Sequence, residues 1–253
     1  MGAVGAVGAV GAVGAVGAVG AVGVERRERK HLADAAEIAV IRSRLARLLR
    51  PDPHGRDGVY HVRSLYLDTP RRDAVFEKLG GVRDRHKWRL RIYDRRDDRI
   101  RLERKVRRDR WVRKDAVVID RDTADRVIRG LAPLHHVHPL VRALAVEQRA
   151  VGLRSAVIVE YLRQAWIHRV GDVRITLDQR LRSGGWRLDL FAPDPPVIPV
   201  LDGPRRTIVE IKHTRWLPAH LEAMLPPSLP AADALSKYVL CCRAAPLAPW
   251  EDP

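Results

Sequence analysis

Short segments of this chain alternate apolar and charged residues with a period of two, the pattern typical of β-strands. In 88–93, for example, Arg89 and Arg91 alternate with Leu90 and Ile92. The same alternation occurs in the segments 24–30, 100–105, 157–163, 173–178 and 207–212. A chain with this pattern must form a largely antiparallel sheet that has one apolar and one charged face, which excludes an all-helical fold.

The charged faces have two interpretations. They could face water on a half-exposed sheet, or they could line a closed tunnel while the apolar faces pack outward against helices. The repeated combination of cations with glutamate favours the tunnel, although a buried lumen of this kind needs an anion to compensate its charge. Glu28, Glu103 and Glu210 would then suit a divalent metal, because hard cations prefer carboxylate oxygens. Metal ions and cationic walls together are what phosphoryl transfer requires.

Helices are expected between and after the strands, which makes the fold class α+β. Asp34 and Glu37 predict a capping box that opens a helix ending before Pro51. Asp122 is predicted to cap a further helix. The other predicted helices cover 72–79, 139–151, 217–225 and 233–243. We expect one domain over 24–245, followed by a tail at 246–253.

Residues 2–22 are seven copies of Gly-Ala-Val. About 20 apolar residues can span a bilayer, but glycine at every third position disfavours a helix. We therefore expect 1–23 to be a low-complexity, disordered segment, with a membrane anchor as the alternative. With two cysteines and no basic, signal-like start, the chain is expected to be cytoplasmic.

The charge balance indicates an anionic partner. The chain has 47 Lys+Arg against 31 Asp+Glu, a net charge of +16. Arginine greatly outnumbers lysine, so the few lysines mark places where a compact ammonium is preferred over a guanidinium. These lysines are Lys30, Lys78, Lys87, Lys105, Lys114, Lys212 and Lys237.

Several motifs occur in an order and at a spacing that resemble a known family. They are Arg26-x-Glu28-x-Lys30, Arg63-Ser-Leu-Tyr-Leu-Asp-Thr69, Lys87-Trp-Arg-Leu-Arg91, Leu102-Glu-Arg-Lys105, Glu160-Tyr-Leu-Arg163, Arg174-Ile-Thr-Leu-Asp178, Val209-Glu-Ile-Lys212 and Ser236-Lys-Tyr238. Over roughly 25–243 the chain resembles the polyphosphate-polymerase (VTC, vacuolar transporter chaperone) domain of the CYTH-like triphosphate tunnel metalloenzyme superfamily.

The resemblance implies a closed eight-stranded antiparallel tunnel, with helices outside and a C-terminal helix near its mouth. It also implies Mn²⁺ or Mg²⁺ as cofactor and transfer of the ATP γ-phosphate to a growing polyphosphate chain. The implied catalytic residues are Lys237, Arg163 and Arg174. The implied phosphate-binding residues also include Lys30, Arg89, Arg91, Lys105, Lys114, Tyr161, Lys212 and Ser236. The implied metal ligands are Glu210 and, in support, Glu28 and Glu103.

Two other functions remain open at this point. One is a tunnel triphosphatase that hydrolyses tripolyphosphate or a nucleoside triphosphate; the other is a non-catalytic polyanion binder. A nucleic-acid binder would carry cations with interleaved aromatic residues on an exposed face. Here glutamates accompany the cations, so no specific nucleic-acid partner is expected, and the Ser236-Lys237 resemblance favours the polymerase over the triphosphatase.

Overall fold

The computed structural model describes residues 27–109, 111–168, 170–185, 189–201, 205–214, 216–227, 229–232 and 234–245. The Gly-Ala-Val repeat and the tail at 246–253 lie outside the described residues, as does the start of the first strand expected at 24.

One antiparallel sheet organises the chain, and its long strands follow the predicted alternation. The strands are β1 (Arg27–Ala33), β2 (Arg50–Pro51), β3 (Val59–Asp68), β4 (Arg85–Tyr93), β5 (Arg96–Arg108), β6 (Trp111–Ile119), β7 (Arg154–His168), β8 (Val173–Ser183), β9 (Ile198–Pro199) and β10 (Thr207–His213). The long strands run in the order β1-β10-β8-β7-β3-β4-β5-β6, and the two-residue strands β2 and β9 pair with β7 and β8.

The prediction of a closed eight-stranded tunnel is wrong in one respect, because the sheet that the described residues form is open. Strands β1 and β6 stand at opposite ends of the strand order and do not pair with each other. The sheet nevertheless curls, since Nζ of Lys105 on β5 lies 3.3 Å from Oε2 of Glu28 on β1. If the end strands were hydrogen-bonded to each other, they would lie about 4.8 Å apart, which would leave less room between them for side chains as long as Lys105 and Glu28. The Glu28–Lys105 ion pair therefore spans the space between β1 and β5, the strand next to the end strand β6.

The helices are α1 (Ala35–Leu48), α2 (Asp73–Leu79), α3 (Arg121–Ile128), α4 (Pro139–Ala150), α5 (Ala219–Glu222) and α6 (Lys237–Ala244). Asp34 and Glu37 form the predicted capping box of α1. The N-cap of α3 is Asp120 rather than Asp122, because the side chain of Asp120 accepts the Thr123 amide at 2.7 Å. Among the described residues, no helix is long and apolar enough to cross a bilayer.

The apolar face of the sheet is convex and packs against helices, as predicted. On one half of the sheet, Ile41 and Leu45 of α1 pack against Val209 and Ile211 of β10. On the other half, side chains of α3 and α4 pack against strands β3, β4 and β5. Burial of these side chains contributes about 1.5–3 kcal/mol for each large apolar residue, and this leaves the charged face on the concave side.

Helix α6 lies on the concave side, in contrast to α1, α3 and α4. Its residues Tyr238 and Val239 pack with Val157 and Val159, the inward-facing residues of β7. The helix begins at Lys237, four residues later than predicted, because the side chain of Ser236 caps it. An apolar contact thus closes one part of the concave surface and brings Lys237 next to the charged part.

Candidate active site on the concave face

The first charged group surrounds Glu103, which lies on β5 and is buried. Its carboxylate lies 2.6 Å from Arg89, 3.8 Å from Arg91, 3.4 Å from Arg101 and 2.5 Å from Lys114. Burial opposes ionisation, but the charges of Arg89, Arg91 and Lys114 outweigh it and hold the pKa of Glu103 well below its ordinary value. This group has an excess of positive charge that a single carboxylate cannot balance.

The second charged group surrounds Asp178 on β8 and Glu210 on β10. Arg163 binds Asp178 through two hydrogen bonds of 2.7 and 2.8 Å, and Nζ of Lys237 lies 2.6 Å from the same carboxylate. Glu210 lies 3.5 Å from Arg163 and 3.2 Å from Lys212. Burial disfavours the charge on Lys237, but Asp178 and Glu210 outweigh it and raise the pKa of Lys237, so its ammonium stays charged.

Glu28 connects the second group to the open edge of the sheet. It lies 3.1 Å from Lys30 and 3.3 Å from Lys105, and Lys30 also donates to the Leu235 carbonyl at 2.9 Å. Its carboxylate also lies on the same strand face as that of Glu210, because Glu28 pairs with Lys212 and Lys30 pairs with Glu210, which makes the two glutamates diagonal neighbours. Two adjacent carboxylates therefore lie beside the cationic residues of this face.

Two tyrosines join the charged groups. The Tyr66 hydroxyl accepts a 2.9 Å hydrogen bond from Arg89, and Arg91 donates to the Tyr161 hydroxyl at 3.5 Å. Nζ of Lys237 lies 5.2 Å from the centre of the Tyr161 ring, within cation–π range. The concave face thus forms one connected polar surface.

The structure brings together most of the predicted phosphate-binding residues but gives Arg174 and Ser236 other contacts. Arg174 donates to the carboxylate of Asp52 and, at 2.7 Å, to the Tyr60 hydroxyl, so a buried acid already neutralises it. The Ser236 side chain accepts from the Val239 amide at 3.5 Å as the N-cap of α6. The catalytic role of Arg174 and the phosphate role of Ser236 stay predictions, as do the roles of the other predicted residues.

The three predicted metal ligands are divided between the two groups. Glu28 and Glu210 are neighbours, whereas Glu103 belongs to the arginine-rich group around Arg89. Within the described part of the chain, no set of three or more His, Cys, Asp or Glu side chains could hold a metal ion. The pair Glu28 and Glu210 still fits Mg²⁺ or Mn²⁺, because such ions often use one or two carboxylates together with substrate phosphates.

Several residues of the site were not predicted as site residues. Arg101 and Asp178 share strand faces with predicted residues, so the alternation alone could have identified them. Asp52 lies in a loop between prolines, and no local pattern indicates that it meets Arg174. Asp68 is a further unpredicted residue, which accepts the amides of Thr69 and Ala74 at 2.8 and 3.0 Å.

Asp68 also holds α6 in place. The Tyr238 hydroxyl donates to its second carboxylate oxygen, and the Tyr238 ring stacks on Tyr66 with centroids 4.8 Å apart. Both Asp68 and Tyr238 are buried. Because Lys237 precedes Tyr238, this hydrogen bond anchors the turn that presents Lys237 to Asp178.

We expect Tyr238→Phe to lower the free energy of unfolding by about 1–3 kcal/mol, the usual cost of leaving a buried acceptor without its donor. The phenyl ring keeps the stacking on Tyr66, so the loss isolates the hydroxyl. Chemical denaturation measures it, with Tyr93→Phe as the control at a half-buried tyrosine. Equal unfolding free energies for the two variants would contradict the anchoring role.

The fold and the site together define a class: a curved antiparallel sheet whose concave face clusters cations around buried carboxylates. The VTC domain family matches residues 25–245, and this chain belongs to that family. The chain is accordingly a protein of the triphosphate-binding or phosphoryl-transfer type.

Comparison with solved structures matches the chain to proteins of low sequence identity, three of which follow. The PH1819 protein of Pyrococcus horikoshii is 16% identical with a TM-score of 0.42, covering 79% of this chain and 84% of that one. The bh2851 protein of Bacillus halodurans is 13% identical with a TM-score of 0.45, covering 79% and 87%. The PH1012 protein of P. horikoshii is 10% identical with a TM-score of 0.42, covering 79% and 85%. No curated protein matches the chain.

Proposed function

We propose that this protein synthesises inorganic polyphosphate by transferring the γ-phosphate of ATP to a growing chain on the concave face. The observation that carries the proposal is the group around Glu103, where Arg89, Arg91, Arg101 and Lys114 all lie within 4.0 Å of one carboxylate. A bound polyphosphate would supply the negative charge that this group lacks.

Phosphoryl transfer depends mainly on positioning and on neutralising the phosphate oxygens, and the two charged groups can divide these tasks. Arg89 and Arg91 are fixed by hydrogen bonds to Glu103, Tyr66 and Ser64, which suits them to orient phosphates. Lys237 carries a compact ammonium on the first turn of α6, beside Arg163. It is therefore placed to stabilise charge on the phosphoryl group that moves.

Glu28 and Glu210 would hold the divalent cation. The cations around Glu210 keep its pKa well below the ordinary value against the effect of burial, so the carboxylate is ionised and able to bind metal. When bound, Mn²⁺ or Mg²⁺ would neutralise the β- and γ-phosphate oxygens and orient the leaving group.

The proposal is tested by incubating the full chain with γ-labelled ATP and Mn²⁺. We expect label to enter chains that separate as a ladder on a polyacrylamide gel, together with equimolar ADP. Label released only as orthophosphate would indicate the triphosphatase instead. ATP that stays intact while tripolyphosphate binds would indicate a non-catalytic polyanion binder.

We also expect anion binding to take up protons at about pH 8. Burial lowers the pKa of Lys87 to about 8 and that of Lys114 to about 7; in Lys114 the attraction of Glu103 opposes burial, and repulsion from Arg89 and Arg91 adds to it. A polyanion favours the charged ammonium, so it raises both pKa values, and lysines that are partly neutral in the free protein become protonated. Affinity should therefore weaken as the pH rises through this range.

Calorimetry with long-chain polyphosphate in buffers of different ionisation enthalpy measures this uptake. The matched control is Lys87→Arg/Lys114→Arg, whose guanidinium groups stay charged throughout and should remove most of the uptake. Equal proton uptake by the control and the parent protein would mean that these two lysines are not the groups that titrate.

A further inference from the structure

Cations continue along the concave face beyond the two charged groups. By the alternation of their strands, Arg85 and Lys87 of β4 and Arg107 of β5 face the same side as Arg89, and Arg85 lies directly opposite Arg107. Lys78 lies on α2, which contacts β4, the strand that carries Arg85 and Lys87. We call Lys78, Arg85, Lys87 and Arg107 the basic rim.

The positive charges of the basic rim lie close together and do not stabilise the fold. Lys87 lies opposite Lys105, which in turn lies opposite Lys114, and like charges directly opposite in a sheet are destabilising. Among the described residues, none of the four rim side chains has a carboxylate oxygen within 4.0 Å. The polar contacts they make are to backbone carbonyls: Arg85 donates to Val82, and Arg107 donates to Asp109 at 2.8 Å.

The rim is continuous with the candidate active site. Lys30 and Lys105, the residues paired with Glu28, are also among the charges that lower the pKa of Lys78. From Arg85 to Arg91, the inward-facing cations extend over six residue steps of β4, about 20 Å at 3.4 Å per step. This run is longer than a triphosphate.

We propose that the basic rim is a second anion-binding site that holds the part of a linear polyphosphate lying outside the catalytic groups. The inference rests on the proposed function for the identity of the ligand. It adds that the protein binds polyphosphate chains longer than a triphosphate more tightly than a triphosphate. A single-stranded nucleic acid is a poorer fit, because bases bind by stacking on exposed aromatic rings. The Tyr238 ring under Lys87 is buried and already stacked on Tyr66.

The test compares two ligands on the full-length Lys78→Gln/Arg85→Gln/Arg107→Gln variant. We expect its affinity for tripolyphosphate to stay within twofold of the parent and its affinity for long-chain polyphosphate to fall at least tenfold at low salt. With three charges removed, the slope of log affinity against log salt should shrink by about 2, at roughly 0.7 for each charge on a flexible polyanion. Arg47→Gln/Arg126→Gln/Arg129→Gln makes the same charge change on α1, in the last turn of α3 and at the C-cap of α3, and it should change neither affinity.

The outcomes separate the rim from the proposed function. If the rim variant lost affinity equally for both ligands, or lost none for long-chain polyphosphate, the rim site would be overturned. A single-stranded oligonucleotide serves as a third ligand, and a loss of affinity for it alone would also overturn the rim site. A parent protein that binds long polyphosphate through the rim but does not bind tripolyphosphate would contradict the proposed function and support the rim. A parent protein that binds neither ligand would overturn both.

Discussion

Glu210→Gln is expected to reduce metal-dependent ATP turnover at least a hundredfold, about 2.7 kcal/mol of transition-state stabilisation. The substitution removes one charged oxygen at nearly constant volume, and it leaves Glu28 as the neighbouring carboxylate. The fold should survive, since Arg163 keeps its two hydrogen bonds to Asp178. The measurement is the turnover rate over a metal titration, with an unfolding curve to confirm that the variant is folded.

Glu147→Gln is the matched control. Glu147 is half-buried and, like Glu210, contacts polar side chains, at 2.7 Å to His86 and 2.8 Å to Trp88, but it lies on α4 at the convex face. It should keep the parental turnover. If Glu210→Gln also turned over ATP at the parental rate under saturating metal, the assignment of Glu210 as a metal ligand would be wrong.

Lys237→Met is expected to lower turnover at least a hundredfold, and Lys237→Arg at least tenfold, about 1.4 kcal/mol. The methionine removes the ammonium, while Asp178 stays paired with Arg163, so no carboxylate loses its last partner. The arginine keeps the net charge but must fit a larger planar group into a position that is only 12% exposed, beside Arg163 on the same Asp178 carboxylate. Steady-state rates at saturating ATP and metal measure both effects.

Arg243→Lys provides the control for these variants. It is the reverse exchange on the same helix, at an exposed position of the last turn, and it should leave turnover unchanged. Equal rates for Lys237→Arg and Arg243→Lys would contradict both the preference for a compact ammonium and the placement of Lys237 at the site.

The sheet could be predicted from the sequence because strands are recognised from the alternation of neighbouring residues. Alternation within a strand decides which residues share a face, and this is enough to place Arg89, Arg91 and Glu103 on charged strand faces. The capping box of Asp34 and Glu37 is equally local, since both partners lie within one turn.

What the sequence did not predict depends on contacts between distant segments. Asp52 and Arg174 are 122 residues apart, and only the folded sheet shows that one neutralises the other. The curvature of the sheet leaves the edge between β1 and β6 open and separates Glu103 from Glu210. The alternation of residues along a strand does not predict this curvature. The N-cap role of Ser236 depends on where α6 begins, a boundary that tertiary packing of Tyr238 decides.

The most direct test of the central claim, that the concave face is an anion site, is the melting temperature of the full chain with tripolyphosphate and Mn²⁺. At about 100 times the dissociation constant, binding should stabilise the fold by about 2.7 kcal/mol, roughly 5–10 °C for a chain of this size. Sulfate at the same ionic strength should have a much smaller effect, and Lys105→Gln/Lys114→Gln should reduce the tripolyphosphate shift. A melting temperature that saturating tripolyphosphate leaves unchanged would contradict the account.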